Sequence, residues 1–187
     1  MKKLNLNIPQ NAFVIGAIGA LAQCKDFPTL IRAFSHLVTD NQCYLLIVGE
    51  GDERFTLQQL TKEFDIADKI IFCGFQSDIG KYLAAMDLFA LSSKSEGLGT
   101  SILDAMFFSL PVVATDVGGI PEIVEHGKSG LLSPVGDYRT MASNLSSLII
   151  SKKMRQVFGN HSKILAEKFS IQNTIEKTLA IYKKVNQ

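Results

Sequence analysis

Net charge, cysteine, histidine and long apolar runs are all scarce in this sequence, and each scarcity narrows the classes of function open to it. Nineteen Lys/Arg against eighteen Asp/Glu leave a formal charge of +1. That is no global basic field of the kind that draws a protein to nucleic acid, so no nucleic-acid partner is expected. The three cysteines, Cys24, Cys43 and Cys73, are odd in number, and no pair has metal or redox spacing. Reduced thiols in a cytoplasmic protein are the expectation, not a disulfide framework. His36, His126 and His161 are scattered, without Cys or an acid at ligand spacing, so no metal site is expected. No stretch reaches the roughly 18 apolar residues of a membrane span. The opening Met1-Lys2-Lys3-Leu4-Asn5 is followed by no long apolar run, so no signal peptide is visible. Repeats and low-complexity tracts are lacking as well.

What is present is a globular composition, 47% hydrophobic and 20% charged over 187 residues. That length suits one domain, or one domain with a C-terminal appendage. The charge is unevenly spread. Residues 151–187 carry eight Lys/Arg and two acids, a net +6, whereas residues 1–150 carry a net −5. The expected division is therefore a domain over 1–150 and a basic helical appendage over 151–187. The basic segment reads as a solvated helical face, with contact to anionic lipid or another protein surface as the sharper alternative.

Short apolar runs alternate with longer helical patterns. Strands are expected at 13–19 (FVIGAIG), 44–48, 70–73, 87–91, 111–115 and, briefly, 130–132. Helical spacing appears over 27–38, where Phe27, Leu30, Ile31, Phe34, Leu37 and Val38 recur, and again over 52–64 and 100–109. Ser77 or Asp78 can cap a further helix reaching about Met86. From Asp137 onward the chain reads as helical, with a weak break near Ser151. Near-continuous apolar strands in β-α-β-α order imply an α/β fold: a doubly wound, mostly parallel, six-stranded Rossmann-like sheet. Ligands of such sheets bind outside the carboxyl ends of the strands. Glycines and polar residues gather there, at 19–25, 49–52, 74–75, 92–99 and 116–119.

The richest of these segments runs from Ser92 to Met106. A strand ends, Glu96 appears, Gly97 and Gly99 follow, and a helix begins. Glycines let backbone N–H groups approach a ligand, and the helix start behind them favours anions. Glu96 and Asp104 could both accept hydrogen bonds from the hydroxyls of a polyhydroxylated ligand. Ser101 and Asp104 equally satisfy the Ser-x-x-acid pattern of a helix cap. From the residues alone, both readings stand. The turn with Asp116, Gly118, Gly119 and Glu122 reads as scaffold first and pocket wall second.

The stretch from Glu96 to Asp104, with Pro111–Val124 and Gly127-Lys128-Ser129-Gly130-Leu131-Leu132, resembles the large family of retaining glycosyltransferases of GT-B type, the "glycosyl transferases group 1". The resemblance runs from about Phe13 to about Asp137. It implies the donor-binding half of an enzyme that moves a sugar from a nucleoside-diphosphate sugar to an acceptor, with no metal or other cofactor. By position it implies that Glu96 contacts the donor sugar and that Asp104 holds the ribose hydroxyls. Gly97, Leu98, Gly99 and Thr100 would bind diphosphate and sugar through their backbone. Lys25, in the loop that follows Gly19, would neutralise the leaving diphosphate, and the nucleobase would lie near Cys73-Gly74-Phe75. Lys25 and Glu96 are thus the expected catalytic pair. Family members carry an acceptor-binding domain ahead of the first strand found here. An excised or truncated half is therefore expected, with the final helix crossing to the missing domain. Ile171, Ile175, Thr178, Leu179, Tyr182 and Val185 mark one face of that helix.

Two positions depart from the family pattern. Ala20 stands where the family usually has Arg, which removes one cation from the diphosphate site. Asp104 stands where Glu is usual, one methylene shorter. Both keep open a non-catalytic nucleotide-sugar-binding subunit, and a related nucleotide-sugar epimerase is the other alternative. A dinucleotide oxidoreductase fits poorly. Gly16-Ala17-Ile18-Gly19 lacks the third glycine in register, and only Glu50 offers an acid near the end of the second strand.

Overall fold

The six apolar runs become six strands: β1 (Phe13–Ile18), β2 (Cys43–Val48), β3 (Ile70–Phe72), β4 (Leu88–Leu91), β5 (Val112–Thr115) and β6 (Gly130–Ser133). The computed structural model describes Leu6, residues 8–37 and residues 43–185, with only the backbone of Thr174, Lys177 and Val185. The strands form one sheet in the order β3-β2-β1-β4-β5-β6, and every neighbouring pair is parallel. Ile15 of β1 pairs with Leu45 on one side and Leu88 on the other.

Both faces of the sheet are covered, which is why the strands are apolar throughout instead of alternating with polar residues. Side chains alternate between two cores. Ile15, Ala17, Leu45, Ile47, Leu88, Ala90 and Val113 point to one core. There they meet Phe27, Leu30, Ile31 and Phe34 of α1 (Phe27–Ser35), Leu57 of α2 (Arg54–Glu63), and Met141, Leu145 and Leu148 of α6 (Tyr138–Ile150). Val14, Leu46, Val48, Phe89, Leu91, Val112 and Ala114 point to the other. This second core is closed by α3 (Gly80–Leu83), α4 (Thr100–Phe107), α5 (Ile120–Ile123) and α7 (Lys152–Glu167). The last helix is α8 (Ile171–Val185), and no described helix is long and apolar enough to cross a membrane.

Several boundaries move inward from the sequence reading, for local reasons. The first helix ends at Ser35 although Leu37 still packs on the core, and Val38 lies outside the described residues. The second begins at Arg54 because Asp52 and Glu53 are used in the turn after β2. The third shrinks to one turn. Its N-cap is Ile79, and Asp78 assists by accepting from the Gly80 N–H at 3.2 Å. The fourth stops at Phe107 because Ser109 takes the left-handed conformation, φ 57°.

The break near Ser151 is a built joint. The Ser151 hydroxyl accepts from Met154 N at 3.2 Å, starting α7. Arg155 donates to the carbonyls of Leu148 and Ile149, at 2.5 and 2.7 Å, and so satisfies the last turn of α6. Its guanidinium also lies over the Phe13 ring, 4.9 Å from the centroid. At the other end of α6, the Asp137 carboxylate accepts from Arg139 N and Thr140 N. Gly159 lets α7 pass close to the Ser109 turn, because a Cβ there would stand 2.2 Å from the Ser109 carbonyl oxygen. A second break, at Ser170, is not foreseen in the sequence. Beyond it α8 exposes Ile171, Ile175, Leu179 and Tyr182 along one face.

Glu125 ties α7 to the turn before β6. Its carboxylate meets His161 Nε2 at 3.1 Å and Lys128 Nζ at 3.1 Å. The hydrogen bond from His161, and then that from Lys128, lowers the Glu125 pKa from its ordinary value of 4.5. A carboxyl with a lowered folded pKa contributes stability that is present above pH ~4.5 and lost as pH falls through the folded value. Glu125→Gln is therefore expected to lower the thermal midpoint at pH 7 and to shrink the difference between midpoints at pH 7 and pH 4. A pH dependence of melting identical to that of the unchanged protein would show that this contact is not formed.

Candidate functional site

The strand order reverses direction between β1 and β4, with β2 and β3 laid down on one side and β5 and β6 on the other. At such a switch point the loops leaving the two central strands diverge to opposite faces and leave a crevice. Here they are the segment 19–26, which includes a short 3-10 turn at Gln23–Lys25, and the segment 92–99.

Ser92 and Lys94 bind these loops together, with Ser93 between them. Ser92 Oγ lies 3.0 Å from the Lys25 carbonyl and 2.9 Å from that of Asp26. Ser93 Oγ donates to Glu96 Oε1 at 2.8 Å. The Lys94 N–H donates to the Cys24 carbonyl at 2.8 Å, and its ammonium stands 3.4 Å from Asp26 Oδ1. Thr115, at the end of β5, donates to the Ser93 carbonyl at 2.7 Å. Asp26 is buried in the left-handed conformation, φ 46°, and its carboxylate accepts from Thr29 Oγ1 at 2.8 Å.

This framework brings the two expected catalytic side chains into contact. Lys25 Nζ forms an ion pair and hydrogen bond with Glu96 Oε1, their side chains being 21% and 9% exposed. The Lys25 stem runs over Gly19, where an added Cβ would stand 3.6 Å from Lys25 Cε. Lys25 and Glu96 are thus partners, a pairing that the sequence reading, which gave them separate ligands, does not contain.

Glu96 and Gly97 rest on the turn after β5. A Cβ on Gly118, whose φ is +55°, would stand 1.9 Å from the Glu96 carbonyl oxygen, and one on Gly119 2.1 Å from that of Gly97. The Gly119 N–H donates to Gly97 O at 2.9 Å. The glycine pair is a seat for the loop, which bears out its reading as scaffold. Leu98 on the same loop and Thr100 at the start of α4 are exposed, and Gly99 is buried with φ +74°.

A cleft of about 310 Å³ opens beside Gly19 and Ala20, lined also by Val48, Glu50, Phe75 and Gln76. Its walls approach through glycines. Gly49 donates to the Gly74 carbonyl at 2.9 Å, and a Cβ on Gly49 would meet Gly19 O at 1.9 Å. Phe75 is 76% exposed at the mouth, and Gln76 is tethered by donating to Cys73 O at 2.8 Å. Of the expected site residues, Gly19 and Phe75 line this cleft, and the Lys25 stem passes over Gly19 to reach Glu96.

Asp104 stands one turn into α4. The cap alternative is corrected by the structure. The helix begins at Thr100, its N-cap is Gly99, and no side-chain hydrogen bond caps it, so Ser101 is already inside the helix. Among the described residues nothing pairs with the half-buried Asp104 carboxylate, and desolvation raises its pKa. Among the described residues, no three of His, Cys, Asp and Glu gather as a metal group. Ser92, Ser93, Lys94 and Thr115 are the site residues that sequence reasoning missed. Two small hydroxyls just past an apolar strand carry no signal of their partners.

The family model described as glycosyl transferases group 1 matches residues 2–164. The chain is similar to N-acetyl-alpha-D-glucosaminyl L-malate synthase of Bacillus anthracis, 31% identical over 181 residues, covering 96% of this chain and 48% of that protein. It is 33% identical over 191 residues to D-inositol 3-phosphate glycosyltransferase of Corynebacterium jeikeium, covering 96% and 45%. The chain spans about half the length of the curated relatives it matches. Among solved structures, Anabaena Alr3699/HepE in complex with UDP matches with a TM-score of 0.83 at 29% identity, over 91% of this chain and 49% of that one. The same protein matches in complex with UDP-glucose. The C-terminal domain of a glycosyl transferase group 1 family protein (LpcC) from Francisella tularensis matches with a TM-score of 0.78 at 28% identity, over 85% of this chain and 87% of that one.

The cysteines provide a chemical check on the crevice. Cys24 is exposed beside Lys25, whereas burial pushes the Cys43 thiol up to about 12 and the Cys73 thiol up to about 11. Thiolate is the reactive form. At pH 8, iodoacetamide is expected to label Cys24 first, Cys73 slowly and Cys43 only on unfolding, as followed by peptide mass spectrometry. Labelling of Cys43 at the rate of Cys24 in folded protein would contradict this packing.

Proposed function

The chain belongs to the glycosyl transferases group 1 family, and from that premise we propose that it is the donor-binding half of a retaining, metal-independent glycosyltransferase. The observation that carries the reading is the meeting of Lys25 and Glu96 at the sheet's switch point, beside a helix start and an open cleft. A nucleoside-diphosphate sugar fits this order of groups. The base enters the cleft at Gly74 and Phe75, and the ribose hydroxyls reach Asp104, whose carboxylate has no partner among the described residues. The diphosphate takes Lys25 and the N–H groups of Gly97–Thr100. The sugar hydroxyls donate to Glu96.

In the reaction the bond between the anomeric carbon and the phosphate oxygen breaks, and its electron pair stays on the diphosphate. An acceptor hydroxyl forms the new bond from the same face, and its proton leaves with the diphosphate. Lys25 and the helix-start N–H groups stabilise the charge that develops. Ala20 leaves Lys25 as the main cation of this loop.

The acceptor would bind a second domain, in keeping with the half-length match to the relatives. The match to a C-terminal domain studied alone supports the same reading. The exposed apolar face of α8 (Ile171, Ile175, Leu179 and Tyr182) is the surface we assign to that domain. We also assign to the basic segment a peripheral contact with an anionic membrane at its cytoplasmic face. Lys153 and Lys163 on α7 and Lys168 at its C-cap are exposed, with Val157 and Ile164 between them.

Calorimetric titration with uridine, guanosine and adenosine diphosphates, then with nucleoside and nucleotide sugar, tests the reading. UDP comes first because a relative binds it. Asp104→Ala is expected to cost about 1.5–3 kcal/mol of affinity for all nucleotide ligands. Lys25→Ala should weaken diphosphate far more than nucleoside. Glu96→Ala should leave bare diphosphate bound at least as tightly, since it releases Lys25, and should erase any preference for the sugar-linked form. The chain alone should transfer no sugar to added acceptors. Equal weakening of all three ligands by Lys25→Ala would overturn the assignment.

A further inference from the structure

Glu96 has two protein donors on one oxygen, and they differ in how firmly they are held. Lys25 Nζ ends a flexible stem that is partly exposed. Ser93 Oγ, at 2.8 Å from Glu96 Oε1, belongs to a residue with no exposed surface. The Ser93 backbone is fixed from both sides. Its carbonyl accepts from buried Thr115 at 2.7 Å. Its neighbours Ser92 and Lys94 bond to the backbone of Cys24, Lys25 and Asp26.

On the reading given above, an arriving diphosphate competes for Lys25. The ammonium cannot serve carboxylate and phosphate equally, and the doubly charged group is the stronger partner. Glu96 then loses its mobile donor at the moment its carboxylate must accept from the sugar. A short hydroxyl on a rigid backbone is what remains to fix its direction.

We propose that Ser93 is a positioning residue that holds the Glu96 carboxylate toward the donor sugar when Lys25 turns to phosphate. Thr115 is its support. Ser93 touches no ligand, and it acts only through Glu96. The inference rests on the assignment of Lys25 to diphosphate and of Glu96 to sugar.

The test measures the affinities of the full chain for UDP and UDP-glucose, or for the diphosphate and sugar ester selected by the nucleotide panel, and takes their ratio. Ser93→Ala is expected to change diphosphate affinity less than twofold and to reduce the preference for the sugar-linked form about tenfold, the effect of one hydrogen bond to a charged group. Ser93→Cys, close in volume but a weak donor, should fall between, and it guards against a fold defect in the alanine variant, as does the thermal midpoint of each. In a Glu96→Ala background, Ser93→Ala should not alter the preference further. A Ser93→Ala variant that loses both ligands by the same factor, or whose effect on the preference persists without Glu96, overturns the proposal while leaving the assignment of Glu96 intact. No loss of preference on Glu96→Ala alone overturns that assignment and the proposal with it.

Discussion

The Ser92 hydroxyl, set between the carbonyls of Lys25 and Asp26, is a small contact on which the candidate site depends. It joins a loop that leaves β1 to one that leaves β4, segments about seventy residues apart in the chain. With Lys94 N on the Cys24 carbonyl, it fixes the distance between the two loops through backbone atoms, independently of any charge. The Lys25–Glu96 pair is laid over that frame. The hydrogen-bonded frame sets where the two side chains meet.

The same economy governs the glycines. Gly49 and Gly118 accept backbone carbonyls at distances that no side chain tolerates. One brings β2 against the end of β1, and the other brings the turn after β5 against Glu96. The crevice is built by backbone approaching backbone. Its shape is consequently insensitive to rotamer changes, while Lys25 remains partly and Phe75 largely exposed.

The fold was legible because its signals are local. An apolar strand such as Phe13–Ile18 or Val112–Thr115 announces burial on both faces, and the Gly that follows marks the loop. The helix start near Gly99 was legible too, while the choice between capping and ligand for Asp104 was not. The capping half of that choice turned on whether the first helical residue was Thr100 or one two positions later, and the N-cap at Gly99 removes it. The pairing of Lys25 with Glu96, and the support from Ser93 and Thr115, depend on which strands become neighbours, and the pattern of hydrophobicity does not encode strand order. The joint at Ser170 was also missed. No residue there breaks helical periodicity strongly, and the ending comes where the packed residues Leu165 and Ala166 give way to an exposed helix.

The strand order also bears on the sequence of events during synthesis. β1, β2 and β3 leave the ribosome before β4 and can pair at once, but β1 then presents a bare edge on its other side. Such an edge is a template for adding a foreign strand. It is covered only when β4 arrives, guided by Asp87, which exchanges hydrogen bonds with the backbone of Val14 at 2.8 Å in both directions. The strand that removes this hazard also carries Ser92 to Glu96 into place beside Lys25. β4 in turn presents its own free edge until β5 and then β6 are laid down, so the candidate site is framed by the same steps that extend the sheet.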